Sequence, residues 1–101
     1  MTNEFLDNAK ETLDKIFNLI ESKYEKFEVD FEDENLRIDS VDKNSVFIIS
    51  IHSPTSQIWL SSPISGAHHF KMSSSTPTTW QSTRDEKVTL IELLNSELEQ
   101  S

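Results

Sequence analysis

The chain has 101 residues, no cysteine and a formal net charge of −9 at pH 7. This length supports one domain with a modest core, and the missing cysteine excludes disulfides, thiol catalysis and metal ligation by the protein's own thiolates. The acidic balance argues against nucleic acid, whose phosphates require clustered Lys and Arg, and favours a cationic partner, either a basic protein surface or a metal ion.

No apolar run approaches about 18 residues, so no membrane span is expected. The chain opens in a helical pattern without an apolar signal core or Arg-rich presequence, which predicts a cytoplasmic protein. Hydrophobic residues make up 35%, and they recur with a clear period, as in a folded domain rather than a disordered one.

Residues 3–25 read as a long amphipathic helix. Leu6, Ala9, Leu13, Ile16, Phe17, Ile20 and Tyr24 recur at spacings of three and four, the repeat of one helix face. Phe27, Val29 and Phe31 then alternate with Glu28, Asp30 and Glu32, which predicts a half-buried strand. Asp33-Glu34-Asn35 is turn-like, and Leu36, Ile38 and Ser40 continue as a paired second strand. After a turn at Asp42-Lys43-Asn44, the β-branched run Val46 to Ile51 is the candidate central strand. Gln57 to Ser61, His68 to Met72 and Thr79 to Gln81 supply three more strands, with the polar loop Ser73 to Pro77 before the last. Thr89 and Glu92 fit a capping box, with Val88 and Leu93 at the staple positions, and Leu90, Ile91, Leu94 and Leu98 form the apolar stripe of a second helix. The order is helix, six strands, helix, in a single domain spanning residues 1–101.

Charge is sorted along this order. Before residue 45 stand thirteen acids against six bases, whereas Ser45 to Arg84 contains no Asp or Glu and holds all three histidines. On the first helix Glu4, Asp7, Glu11, Asp14, Glu21 and Glu25 occupy one sector of about 100°. With Glu28, Asp30, Glu32 and Asp33 they read either as a carboxylate ridge for hard cations or a basic protein, or as a solvated face. Asp7, Glu11 and Asp14 are spaced to share an ion loosely without enclosing it.

Catalytic signatures are sparse. No G-x-S-x-G elbow or Ser/His/acid constellation is visible in the sequence, and one glycine excludes a glycine-rich phosphate loop. His68 and His69 are adjacent on a strand, so they point to opposite sides and cannot clasp one ion; one faces the core side and one the solvent. Alternation likewise separates Trp59 and Gln57 from Ile58 and Leu60, which places them on the sheet face that the helices leave open. Trp59 there reads either as a cross-strand aromatic or as an exposed binding anchor in a neutral surround.

The segment "QIWLSSPISG" at 57–66, followed by "HHF", closely resembles the signature of the frataxin family. The likeness extends over nearly the whole chain, through "ETLD" at 11–14, the third strand, Trp80 and the closing "LIELLNSEL". It implies an α+β two-layer sandwich, with two terminal helices on one face of an antiparallel sheet of about six strands. It also implies a role in iron–sulfur cluster assembly, with iron (Fe2+/Fe3+) weakly bound on the acidic ridge and docking on the cysteine desulfurase and the iron–sulfur scaffold protein. Carried over by position, the ridge comprises Glu11, Asp14, Glu21, Glu25, Glu28 and Asp30, to which the acidic sector adds Asp7. The sheet contact comprises Gln57 and Trp59, with Ser61 and His69 beside them. Lys10, Asn18 and Ser22 stand where relatives often carry acids, and Ser50 and His52 replace the usual Asn and Gln.

The expectation is a non-enzymatic, monomeric adaptor and regulator of cluster assembly, with no nucleic-acid or membrane partner. The alternative is an iron chaperone or storage protein with ferroxidase activity. The spelling "IWLSSP" resembles mitochondrial members and their nearest bacterial relatives, so a mitochondrial matrix protein with a trimmed presequence is the alternative to a bacterial cytoplasmic one.

Overall fold

The computed structural model describes residues 4–24, 26–40, 45–72, 79–85 and 87–100. Helix α1 (Glu4–Lys23) is followed by strands β1 (Phe27–Glu32), β2 (Asn35–Ser40), β3 (Val46–His52), β4 (Gln57–Ser62), β5 (Gly66–Met72) and β6 (Trp80–Ser82), then by helix α2 (Leu90–Gln100). The six strands form one antiparallel sheet in sequential order β1 to β6. This is the expected two-layer sandwich. The turn expected at Asp42 to Asn44 and the loop expected at Ser73 to Pro77 lie outside the described residues.

The core lies between the sheet and the helix layer, because period two in the strands meets period 3.6 in the helices there. Strand residues Phe27, Leu36, Ile38, Phe47, Ile49, Ile51, Ile58, Leu60, Phe70 and Trp80 are buried together with Ala9, Leu13, Ile16 and Ile20 of α1 and Leu90, Leu94 and Leu98 of α2. The apolar face of α1 is turned slightly from the expected stripe. Phe5 is buried, whereas Leu6 and Phe17 are only half-buried. The reason is long-range: Trp80 arrives from β6 and meets Phe5 edge-on at 5.7 Å. The Trp80 indole Nε1–H donates to Thr12 Oγ1 at 2.7 Å, and Thr12 in turn donates to the Asn8 carbonyl at 2.8 Å.

Several strand ends move by one or two residues. Asn35 belongs to β2, where it pairs with Glu32, so Asp33-Glu34 alone makes the β1–β2 turn, with Asp33 at φ 55°. Between β3 and β4 a short 3-10 turn at Ser53–Thr55, with Ser56 at φ 54°, brings Gln57 opposite His52. Ser62 and Gly66 close the β4–β5 hairpin, and Gly66 sits at φ 89°.

Candidate functional site

The helices cover one face of the sheet and leave the other open. Across it the register builds a continuous row from Glu32 through Asn35, Ser50 and Trp59 to His69. The chemistry changes along this row from carboxylate, through amide and hydroxyl, to aromatic. The Ser50 hydroxyl donates to Asn35 Oδ1 at 2.8 Å, which ties the middle of the row.

At the centre of β4, Trp59 is held on three sides. Its indole stacks on the His52 imidazole at 3.9 Å with 16° between planes, and on the His69 imidazole at 4.4 Å with 15°. Its Nε1–H donates to Gln57 Oε1 at 2.9 Å. His52 is fixed in turn by a 2.7 Å hydrogen bond between Nδ1 and Thr55 Oγ1. Trp59 is therefore half-buried, with both ring faces occupied and one edge left for contact. The two sequence readings merge: it is a cross-strand aromatic and it stands on the open face. Ser61 lies on the same face and is exposed, and His69 is exposed at the outer end of the stack.

The acids divide between two layers. Asp7, Glu11, Asp14 and Glu21 are exposed on α1, and Glu11 pairs with Lys15 at 3.4 Å. Glu28 and Asp30 are exposed on β1, where alternation turns them onto the open sheet face with Glu32. Glu25 lies outside the described residues. Among the described residues no three His, Asp or Glu side chains converge to hold one ion. Beside β1 a shallow depression of about 420 Å³ is lined by Asp30, Glu32, Asp33, Asn35, Arg37 and Ile48. Arg37 Nε is committed to Asp39, with both carboxylate oxygens at 3.0–3.1 Å.

Two arrangements are not foreseen in the sequence: the stacking of His52, noted there only as a replacement for the usual Gln, and a polar cluster on the covered side. His52 joins the site because the turn at Ser53–Thr55 fixes the β3–β4 register, and its place two residues after Ser50 on a strand was the available signal. The second is a serine, a histidine and an acid brought together on the covered side. Ser62 and Ser65 donate to the two carboxylate oxygens of Glu97, which is 4% exposed, and Ser65 Oγ lies 2.7 Å from His68 Nε2. Here the Ser65 hydroxyl donates to the Glu97 carboxylate, which leaves Ser65 Oγ to accept from Nε2–H of His68. A nucleophilic triad needs the reverse, with the imidazole accepting from serine. The cluster is instead a clasp: Ser62 Oγ also accepts from the amides of Ile64 and Ser65, at 3.0 and 3.2 Å, and fixes the β4–β5 turn to α2. His68 and His69 do point to opposite sides, as their adjacency requires.

The family described as frataxin-like domain matches residues 1–101. A mitochondrial frataxin homolog of Schizosaccharomyces pombe is 46% identical over 55 residues, which are 54% of this chain and 34% of that protein, so the match spans about a third of that relative's length. The iron-sulfur cluster assembly protein CyaY of a Janthinobacterium species is 33% identical over 87 residues, covering 82% of this chain and 74% of the relative. In three dimensions the frataxin of Psychromonas ingrahamii superposes with a TM-score of 0.84 at 21% identity, covering 99% of this chain and 92% of the other. The trimeric frataxin of Saccharomyces cerevisiae, complexed with ferrous iron, gives 0.73 at 25% identity, with 99% and 86% covered. Bacterial and mitochondrial relatives are both present, and among the described residues no helix is long and apolar enough to cross a membrane. Through its whole length, and with the sandwich that the signature segment foretold, this chain belongs to the frataxin-like family.

Proposed function

We propose that the protein is an adaptor of iron–sulfur cluster assembly that docks on the cysteine desulfurase and its scaffold protein through the open sheet face. The observation that carries this reading is the His52–Trp59–His69 stack, a fixed aromatic anchor on a sheet face with no helix over it. An indole already locked in one rotamer gives up little further freedom on binding, and aromatic anchors dominate interface energies. The acids of α1 and β1 supply attraction to a basic partner and steer its approach. Support also comes from the CyaY relative, which is named an iron-sulfur cluster assembly protein.

Iron is cargo in this reading. Exposed carboxylates on α1 and β1 suit hard cations, and dispersed, unenclosed ligands hold them weakly. The yeast frataxin complexed with ferrous iron supports iron binding for this chain. Ferroxidase chemistry needs a reproducible, usually enclosed carboxylate site, so dispersed exposed acids favour carriage of iron over its oxidation. A net charge of −9 opposes self-association at low salt and keeps it a monomer.

The test is binding to purified desulfurase–scaffold complex at low and high salt, beside an E11K/D14K variant and Trp59→Ala. Expected are affinity that falls with salt and with charge reversal, and a separate loss on removing the indole. Wild-type protein that is folded yet fails to bind at low salt would overturn the reading.

A further inference from the structure

The open face carries opposite chemistry at its two ends. At the β1 end Glu28, Asp30 and Glu32 point outward, and Arg37 is bound to Asp39. At the other end the outward residues are His52, Gln57, Trp59, Ser61, Ala67, His69, Lys71 and Gln81, and no Asp or Glu occurs between Ser45 and Arg84. Lys71 lies two residues from His69 on β5 and directly opposite Gln57, so ammonium and imidazole flank the Trp59 stack. Both Lys71 and His69 are exposed. Among the described residues, neither side chain has an ion-pair or hydrogen-bond partner. Two polar neighbours of the indole are already committed, Gln57 Oε1 to Trp59 and His52 Nδ1 to Thr55. Arg84 and Asp85 follow β6 in the chain and are both exposed.

We propose that this end of the face receives a carboxylate-bearing segment of the protein partner, held by Lys71 and His69 beside Trp59. The proposal rests on the docking reading above and adds to it the chemistry of a second contact. The argument is charge complementarity. A lysine ammonium and an imidazole N–H are donors that match a carboxylate, and their surround of amides and hydroxyls offers no competing negative charge. A basic partner group would settle against the acids at β1 and on α1. The partner surface must then be acidic where it meets β5, and this polarity allows one orientation on the sheet and penalises the reversed one through like-charge contact.

The experiment joins the wild-type protein to the purified desulfurase–scaffold complex with a zero-length carbodiimide, which couples an amine to a touching carboxylate, and maps the links by mass spectrometry. Lys71 is expected to link to an Asp or Glu of the partner. Lys71→Arg keeps the positive charge but carries no amine that the carbodiimide couples, so the link should vanish from the complexes that this variant still forms. H69E/K71E should bind about tenfold more weakly, while its thermal midpoint, read separately, reports folding. No Lys71 link in a complex that forms, or undiminished binding by folded H69E/K71E, overturns the proposal; if E11K/D14K still weakens that complex, the docking reading survives alone. A wild-type protein that does not bind overturns both.

Discussion

Trp59 and His52 lie with ring centroids 3.9 Å apart and planes within 16°, although they are not directly paired in the β3–β4 register. The diagonal contact exists because His52 is pulled down by Thr55 of the 3-10 turn while Gln57 holds the indole from the other side. The stack is thus built by a turn and two hydrogen bonds, not by the strand alone. His52→Ala should destabilise the protein by about 0.5–1.5 kcal/mol, the usual worth of an aromatic pair. His52→Phe, which restores a stacking ring, should recover most of it. Urea denaturation checks both, and the Trp59 indole N–H resonance should broaden or shift in the alanine variant alone.

The clasp between α2 and the β4–β5 turn gives a second prediction. Glu97 offers two acceptor oxygens to the hydroxyls of Ser62 and Ser65. Glu97→Gln keeps one acceptor and places an amide N–H group against the other hydroxyl, in a site 4% exposed. A buried polar mismatch of this kind costs about 1–3 kcal/mol. The denaturation midpoint should fall accordingly. Hydrogen exchange should accelerate first at the amides of Ile64 and Ser65, which Ser62 now orders.

Trp80 tests the join between the two layers from the opposite edge of the sheet. Its indole is buried and donates to Thr12 across 68 residues of sequence. Thr12→Val preserves shape but strands that N–H without an acceptor. The expected loss is about 1–3 kcal/mol, read from chemical denaturation, with the fold otherwise unchanged by circular dichroism.

These three contacts also mark where sequence reasoning stopped. Periods of two and 3.6 placed both helices and all six strands, because each element buries one face and each face carries its own spacing. Phe5 was left off the first helix's stripe because its partner, Trp80, comes from β6 and no local pattern announces it. Glu97 did carry a local sign: it follows Leu94 by three positions and Leu90 by seven, on the apolar side of α2. An acid there needs donors, and the hairpin serines of the signature segment supply them. Trp59 and Gln57 were placed on the open face by alternation alone, but their hydrogen bond and the flanking imidazoles depended on hairpin register, which the turn at Ser53–Thr55 decides.

Gly66 separates backbone conformation from space. It opens β5 at φ 89°, and a Cβ added there would meet nothing within 4 Å. Any cost of Gly66→Ala must therefore come from the left-handed backbone, for which a penalty of about 1–2 kcal/mol is usual. Gly66→Asn should cost less, since asparagine tolerates positive φ better than alanine does. Thermal or urea midpoints ranked Gly, Asn, Ala would bear this out, whereas equal losses for both variants would place the cost elsewhere.

Iron delivery from a dispersed set of carboxylates has its own signature. Among the described residues no three ligating side chains converge, and Glu11 already shares its charge with Lys15. Ferrous ion added without oxygen should therefore broaden amide resonances of α1 and β1 together, around Asp7, Glu11, Asp14, Glu21, Glu28 and Asp30. On the proposed weak, dispersed binding, the broadening should rise gradually and without a single stoichiometric break. E11K/D14K should remove the effect from the middle of α1 and leave β1 broadened. Added salt should weaken it throughout, since exposed charges are screened over about 10 Å at 0.1 M ionic strength. One sharp, salt-insensitive site saturating at a single equivalent would instead require ligands that close around the ion, and would turn the reading from weak carriage toward a fixed metal centre.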